Sequence, residues 1–237
     1  MNIVTKILRV LWITPYRSAL LRTGVFASTE HDHVLEGLKI DTIVDIGANR
    51  GQFALCARRL YPRARIISLE PLRKPARTYL RVFRRDPLTT LINKAVSMES
   101  GTAMMNVSRW DVSSSLLPFA QAQHDNFPFT EQSAGERVST ASLSGCLGDN
   151  TLVGTSLLKL DVQGYELAAL RASEDLLGTF QYVYVEVSFI ELYLGQALAS
   201  EIVSFLFVNN FKLICVTNLS CGRARRPIQA DFLFARD

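Results

Sequence analysis

The sequence predicts an α/β fold built on a seven-stranded, mostly parallel sheet with an antiparallel last strand and a small β/loop insertion. Three observations predict it. Short β-branched runs alternate with helical segments, as βαβ units require. The first run, DTIVDI, ends on the turn GANRG, and a helix follows. The last two runs are joined without a helix, so the sheet closes antiparallel.

The elements read in order. Asp41–Ile46 is the first strand, and Gln52–Leu60 is a helix stopped by Pro62. Ala64–Leu69 is the second strand, Arg73–Phe83 an Arg-rich helix, and Leu88–Val96 the third strand. Residues 97–140 are rich in Ser, Thr, Asn, Pro and Gly, with short alternating runs at Thr102–Val107 and Arg137–Ser142. They read as small antiparallel strands and loops set into the frame. Ser156–Val162 is the fourth strand, Tyr165–Ala172 a helix and Tyr182–Ser188 the fifth strand. Ala199–Asn209 is a helix, and Phe211–Val216 and Asp231–Ala235 close the sheet. With no repeat and no linker, residues 1–237 read as one domain, with a helical leader over 1–30 and the insertion over 97–140.

Lys6 and Arg9 interrupt the apolar leader and Pro15 closes it. A spanning helix needs about 20 mostly uncharged residues, and this run falls short. No small-residue cleavage site follows it, which argues against a signal peptide. Ile3, Val4, Ile7, Leu8, Leu11 and Trp12 fall at helical spacing, which predicts a helix packed on its own domain. The alternative is an interfacial helix giving peripheral membrane contact near a lipid-linked acceptor.

Composition narrows the class. Hydrophobic residues make up 48% and charged residues 20%, which excludes general disorder. The net charge is +4 and the pI about 9.0, with Arg far outnumbering Lys. Such a balance suits nucleic acid, a membrane surface or an anionic ligand. The basic run Arg73, Lys74, Arg77, Arg81, Arg84 and Arg85 lies largely on one helix and lacks interleaved aromatics to stack bases. It reads as a solvated helix face, and no nucleic-acid partner is expected. Arg223, Arg225 and Arg226 sit in a loop suited to a phosphate or an acidic membrane. The four cysteines make no C-x-x-C pair, so a cytoplasmic setting is expected, with membrane association as its variant.

Ligands of a doubly wound sheet bind beyond the carboxyl ends of its strands. Gly47, Glu70, Asn93, Asp161 and Glu186 lie there. Gly47 permits the tight turn and Gly51 a close backbone approach to a ligand. Asn49 stands where a dinucleotide loop has its second glycine, which argues against NAD, and no G-K-[ST] follows for a P-loop. Glu70, 19 residues beyond Gly51, is placed to accept hydrogen bonds from ribose hydroxyls. Asp161 is the first candidate for a catalytic base or acceptor-orienting carboxylate, with a helix cap as its plain alternative. Glu186, in an apolar run, is assigned to acceptor binding. His124, in the insertion with Asp125, Phe127 and Phe129, is a further candidate base. Glu166 reads equally well as an exposed helix residue, and Lys159 as a partner of Asp161. His31-Asp32-His33 reads as a solvated turn or helix start rather than a metal site.

The segments VDIGANRGQF (44–53), SLEP (68–71), NKAVS (93–97) and LLKLDVQGYELAALRAS (157–173) resemble the FkbM family of S-adenosylmethionine-dependent methyltransferases. The resemblance covers about residues 35–235. It implies the seven-strand methyltransferase fold and S-adenosyl-L-methionine as cofactor. It also implies that Asp45, Gly47, Asn49 and Gly51 line the methionine part and that Glu70 holds the ribose. Asn93 and Ala95 would flank adenine, Ser115 would lie near the cofactor, and Asp161 would sit beside the methyl. Two positions depart from the family pattern. Ser144 follows Leu143 where an Asp is usual, and Gln163 replaces a Glu. Both remove a carboxylate from any metal site; a divalent metal would lower a hydroxyl pKa, but no ligand spacing supports one. The expected activity is O-methylation of a sugar hydroxyl, on a glycolipid or a glycosylated natural product. The alternatives are a polyketide or RNA acceptor, or a non-catalytic binding module. The oligomeric state is not readable.

Overall fold

The computed structural model describes residues 3–109, 111–128, 130–150, 152–222 and 225–236. Phe129 and Arg223 lie outside the described residues, as do the side chains of the leader residues Ile3, Val4, Lys6 and Ile7.

The leader forms two helices, α1 (Ile3–Trp12) and α2 (Thr14–Thr23), where one helix closed by Pro15 is predicted. Pro15 instead occupies the first turn of α2, where its missing N–H costs nothing. Gly24, at φ 71°, ends α2 in the left-handed conformation. A short helix α3 (Asp32–Leu35) precedes the sheet.

Strands β1 (Thr42–Ile46), β2 (Arg65–Leu69) and β3 (Thr89–Ile92) are joined by helices α4 (Gln52–Leu60) and α5 (Arg73–Val82). The predicted third strand breaks after Ile92. Asn93 Nδ2 donates to the carbonyls of Glu70 and Pro71 at 2.7 and 2.9 Å, turning the chain out of the sheet. β4 (Ala95–Val96) then joins a separate three-stranded sheet with β5 (Gly101–Ser108) and β6 (Gln132–Ala141), in the order β4-β6-β5. Between β5 and β6 lies a helix, α6 (Gln121–Asn126), in the segment predicted to hold strands and loops alone.

After α7 (Leu143–Leu147), whose Ser142 cap accepts from the Gly145 amide at 3.1 Å, the main sheet resumes. It adds β7 (Ser156–Leu160), helices α8 (Glu166–Arg171) and α9 (Glu174–Leu177), β8 (Tyr182–Ser188) and helix α10 (Ala199–Val208). The antiparallel pair β9 (Phe211–Cys221) and β10 (Pro227–Arg236) ends it, longer than the predicted strands. The order of the seven strands is β3-β2-β1-β7-β8-β10-β9, with β10 alone running against the others.

β1 and β7 are buried along their whole length, because helices cover both faces. Val44, Leu158, Val183 and Phe232 face a core closed by α7 to α10. Ile43, Leu157, Tyr184 and Leu233 face the other core, closed by the N-terminal helices with α4 and α5. By strand alternation Asp45, Lys159 and Asp231 share that second face. The N-terminal segment therefore roofs a row of polar side chains near the carboxyl edge of the sheet.

His31-Asp32-His33 is the start of α3, as read, with His33 exposed, but Asp32 is interior rather than solvated. Asp32, 1% exposed, meets Arg59 at 2.8 Å and Arg9 at 3.3 Å, and accepts from the Cys56 thiol at 2.9 Å. It ties α1 to α4, and its partners lie too far along the chain for local reading to find. Removing the carboxylate leaves two guanidinium groups facing a buried gap. Breaking a fully buried pair costs about 3–5 kcal/mol, and the partial exposure of both arginines lowers the expectation to about 2 kcal/mol. Asp32→Ala should lose that much in urea unfolding, and a loss below about 0.5 kcal/mol would refute the clamp.

Candidate active site

A cleft of about 940 Å³, open mouth included, lies beyond the carboxyl ends of β1, β2 and β7. Its walls include Gly47, Ala48 and Asn49 after β1, Glu70 after β2, and Asp161 and Gln163 after β7. Ser28 and His31 close it from the N-terminal segment, and Ala95, Met105, Ser114 and Leu116 from the small sheet.

The turn after β1 depends on backbone conformation. Gly47 has φ 81°, and a Cβ there would sit 1.9 Å from the Asp161 carbonyl oxygen, so only glycine fits. Asn49, at φ 46°, turns its amide toward Glu70 and accepts from the Arg50 amide at 2.9 Å through its side chain. Gly51, at φ 93°, serves packing rather than ligand approach. A Cβ there would meet the ring of Phe83 at 2.6 Å and that of Tyr79 at 3.0 Å, and Gly51 does not line the cleft.

Glu70 is 4% exposed and lines the cleft. One carboxylate oxygen accepts from the Leu72 amide at 2.7 Å, the other from the Asn49 amide at 2.9 Å. Each oxygen keeps acceptor capacity for a ligand diol. Burial pushes its pKa up to about 7, against the two amide hydrogen bonds that oppose the rise.

Beneath the turn lies a buried ion cluster. Lys159 Nζ sits 3.0 Å from Asp45 Oδ1, 3.7 Å from Asp161 Oδ2 and 3.4 Å from the Gly47 carbonyl oxygen. Asp45 is fully buried and does not line the cleft, contrary to its expected place beside the methionine. Its side chain points into the sheet face toward Lys159.

Asp161 reaches the cleft, its side chain 39% exposed. Gln163 Nε2 donates to Asp161 Oδ1 at 2.8 Å and to Glu186 Oε2 at 3.0 Å, joining the two predicted carboxylates. Gln229 Nε2 donates to the same Glu186 oxygen at 3.0 Å, and the Tyr193 hydroxyl donates to Gln163 Oε1 at 2.8 Å. Burial first, then the charges of Asp161, Asp231 and Glu166, raise the Glu186 pKa well above the usual range. Glu166 is 2% exposed, not an exposed helix residue. Its carboxylate accepts from the Val162 and Gly164 amides at 3.0 and 3.2 Å and holds Gln163 in its left-handed turn at φ 54°.

Glu186 reaches the cleft wall only through Gln163, and three other predicted residues stand apart from it. Asn93 spends its side chain on the carbonyls after β2, leaving Lys94 and Ala95 to line the wall. Ser115 is fully buried and donates to the Gln163 carbonyl at 2.6 Å, so it braces the loop while its neighbour Ser114 lines the cleft. His124 lies on α6 with its ring 6.0 Å from that of Phe119, outside the lining. Missed by sequence reasoning are Gln163 as a bridge, Tyr193, and His31, which lines the cleft. The K-x-D-x-Q-G segment carried a signal for Gln163; nothing local marked the other two. Among the described residues no group of three or more His, Cys, Asp or Glu converges to hold a metal.

These residues fit an S-adenosylmethionine. Glu70 offers acceptors for a ribose diol, and the Gly47–Asn49 turn places backbone against the adjoining part of the cleft. The apolar wall of Leu72, Ala95, Met105 and Leu116 suits a flat base. The polar end at Asp161 is left for the methyl and its acceptor.

No curated protein matches the sequence significantly. Among solved structures, fibrillarin from Aeropyrum pernix, determined with natively bound S-adenosyl-L-methionine, is 14% identical. The match covers 92% of this chain and 74% of that one at a TM-score of 0.50. Precorrin-6y C5,15-methyltransferase from Geobacter metallireducens is 12% identical over 87% of this chain and 85% of that one, at a TM-score of 0.49. At such identity the fibrillarin likeness speaks for the fold alone. The family is fixed by sequence: the methyltransferase FkbM domain matches residues 45–213, well over half of the chain. With that match, on a sheet and cleft of the matching kind, the chain belongs to the FkbM family of S-adenosylmethionine-dependent methyltransferases.

Proposed function

We propose that the enzyme methylates a hydroxyl of a sugar, carried on a glycolipid or a glycosylated natural product. The observation that carries this reading is the polar end of the cleft. There Asp161 and Gln163 line the wall and are hydrogen-bonded onward to Glu186 and Gln229 behind them, one connected set of carboxylates and amides. Such groups accept from and donate to several hydroxyls at once, which a polyhydroxylated ring presents. A phosphate-rich acceptor such as RNA would meet the Asp161 carboxylate, and Lys159 beside it is buried and already paired. When bound, S-adenosylmethionine supplies an electrophilic methyl on a sulfonium. The protein then has to hold the acceptor oxygen in line and manage its proton. Asp161, tied to Lys159 and Gln163, is suited to accepting a hydrogen bond from the acceptor and fixing its orientation.

The leader offers a surface for a lipid-borne acceptor. Leu8 is 51% exposed, Leu11 42% and Trp12 82%, at i, i+3 and i+4 of α1. Arg17 donates to the Leu11 carbonyl at 3.2 Å, which sets a cation beside them. An apolar stripe edged with positive charge suits the interface of an anionic membrane. No helix among the described residues is long and apolar enough to cross one.

Four outcomes follow. Transfer of labelled methyl to a panel of free sugars and partly methylated glycolipids, read by mass spectrometry, should yield a methoxy sugar; transfer only to RNA would sink the proposal. Asp161→Ala should bind cofactor within about threefold of wild type yet lose about 100-fold in turnover, and normal turnover would refute its role. Protonation of Glu70 removes an acceptor, so cofactor affinity should weaken as pH falls through about 7. Calorimetry should show about a tenfold weaker Kd at pH 6 than at pH 8 in wild type, and no such dependence in Glu70→Gln. A flat wild-type profile would remove Glu70 from ribose recognition. For the leader, Trp12→Ser should reduce sedimentation with phosphatidylglycerol vesicles; equal sedimentation would discount the membrane surface.

A further inference from the structure

His31 enters the cleft from the N-terminal segment, and its hydrogen bonds determine where its proton sits. Nδ1 lies 2.8 Å from the Tyr184 hydroxyl oxygen and 3.5 Å from Asp231 Oδ2. The Tyr184 hydroxyl lies 3.0 Å from Asp231 Oδ2, and Asn218 Nδ2 donates to that same oxygen at 2.7 Å. Burial alone would raise the pKa of Asp231, but His31, Asn218 and Tyr184 outweigh it and hold the pKa below the ordinary value. An ionised Asp231 can only accept, so Tyr184 must donate to it. A hydroxyl has one proton. Tyr184 therefore cannot also donate to His31, and its oxygen must accept from Nδ1–H. In the neutral ring Nε2 then carries a bare lone pair, on the side of the ring away from Tyr184.

The ring is held in place as well as in tautomer. It packs edge-on against Phe53 and Tyr184, with centroids at 5.4 and 5.5 Å. The Asp45–Lys159 pair lies within electrostatic reach, since both His31 and Asp161 act on Asp45. His31 and Asp161 line the same cleft.

We propose that His31 is the general base of methyl transfer, with Tyr184 and Asp231 as its positioning residues. This rests on the hydroxyl-acceptor reading. The acceptor oxygen bonds the methyl carbon as the carbon–sulfur bond breaks, its electron pair going to sulfur. The hydroxyl proton passes to Nε2, and the imidazolium so formed is balanced by Asp231 and later gives the proton to solvent. Asp161 could not take this part as readily, since its oxygens already face Lys159 and Gln163.

The test combines three measurements. The chain has three histidines, so ¹⁵N-labelled protein with S-adenosylhomocysteine, assigned with H33Q and H124Q, reports the His31 tautomer directly. Nδ1 should carry the proton and Nε2 none, and D231N should shift the population toward Nε2–H; a wild type already protonated at Nε2 overturns the proposal. H31Q should bind S-adenosylmethionine within about threefold of wild type, whereas a loss of about tenfold or more would make His31 a cofactor ligand and overturn it. On whichever sugar of the panel wild type methylates, H31Q should lose about 100-fold or more in kcat with KM little changed. Methylated oxygen with H31Q as fast as wild type sinks the base alone. A methyl found on carbon or nitrogen sinks the hydroxyl reading, whatever H31Q does.

Discussion

The site is organised around one buried ammonium. Lys159 stands in the centre of the sheet, with Asp45 beside it on β1 and Asp161 beyond the end of its own strand. Burial disfavours its charge, yet the two carboxylates outweigh burial and push its pKa up, so the proton stays. An unpaired charge here would be prohibitive, and the pair therefore locks β1 to β7 in one register. The Gly47 carbonyl, 3.4 Å from the same ammonium, draws the cofactor turn onto this anchor. The turn, the strand ends and the Asp161 carboxylate are thus set around a single ammonium.

From that anchor the polar end of the cleft is assembled through Gln163. A glutamate at this position would put a third carboxylate between Asp161 and Glu186, and repulsion would drive one of them to bind a proton or a cation. The amide instead gives its two N–H groups to those carboxylates and accepts from Tyr193. Its positive φ is maintained by Glu166 from below and by Ser115 at its carbonyl. The departure from the family pattern thus has a structural consequence: the carboxylates are bridged by neutral hydrogen bonds.

What was legible in the sequence was what the backbone imposes. The strands at 42–46, 156–160 and 182–188 were visible because strands buried on both faces must be apolar and β-branched almost without interruption. Gly47 and Glu70 were visible because a strand-to-helix turn admits few residue types. Side-chain direction was not legible. Asp45, Asn93 and Ser115 lie in the right segments, yet pleat and loop geometry turn them to Lys159, to the carbonyls after β2 and to Gln163. Contacts that close over great sequence distance were least visible. His31 finds its partners at Tyr184 and Asp231, and only the fold brings those residues to it.

The overall basic charge therefore says little about the chemistry. Arg73, Lys74, Arg77 and Arg81 lie along α5 and face Arg137 of β6 across a surface groove, outside the cofactor cleft. Around the polar end of the cleft the balance reverses, with Asp45, Asp161 and Asp231 gathered about the buried ammonium of Lys159. Such a field favours a cationic sulfonium over the neutral thioether left after transfer, which aids release of the spent cofactor. It also favours a proton leaving a hydroxyl acceptor once a base stands ready to receive it. An imidazole that takes the proton gains its positive charge 3.5 Å from the Asp231 carboxylate, an attraction that grows from ground state to transition state.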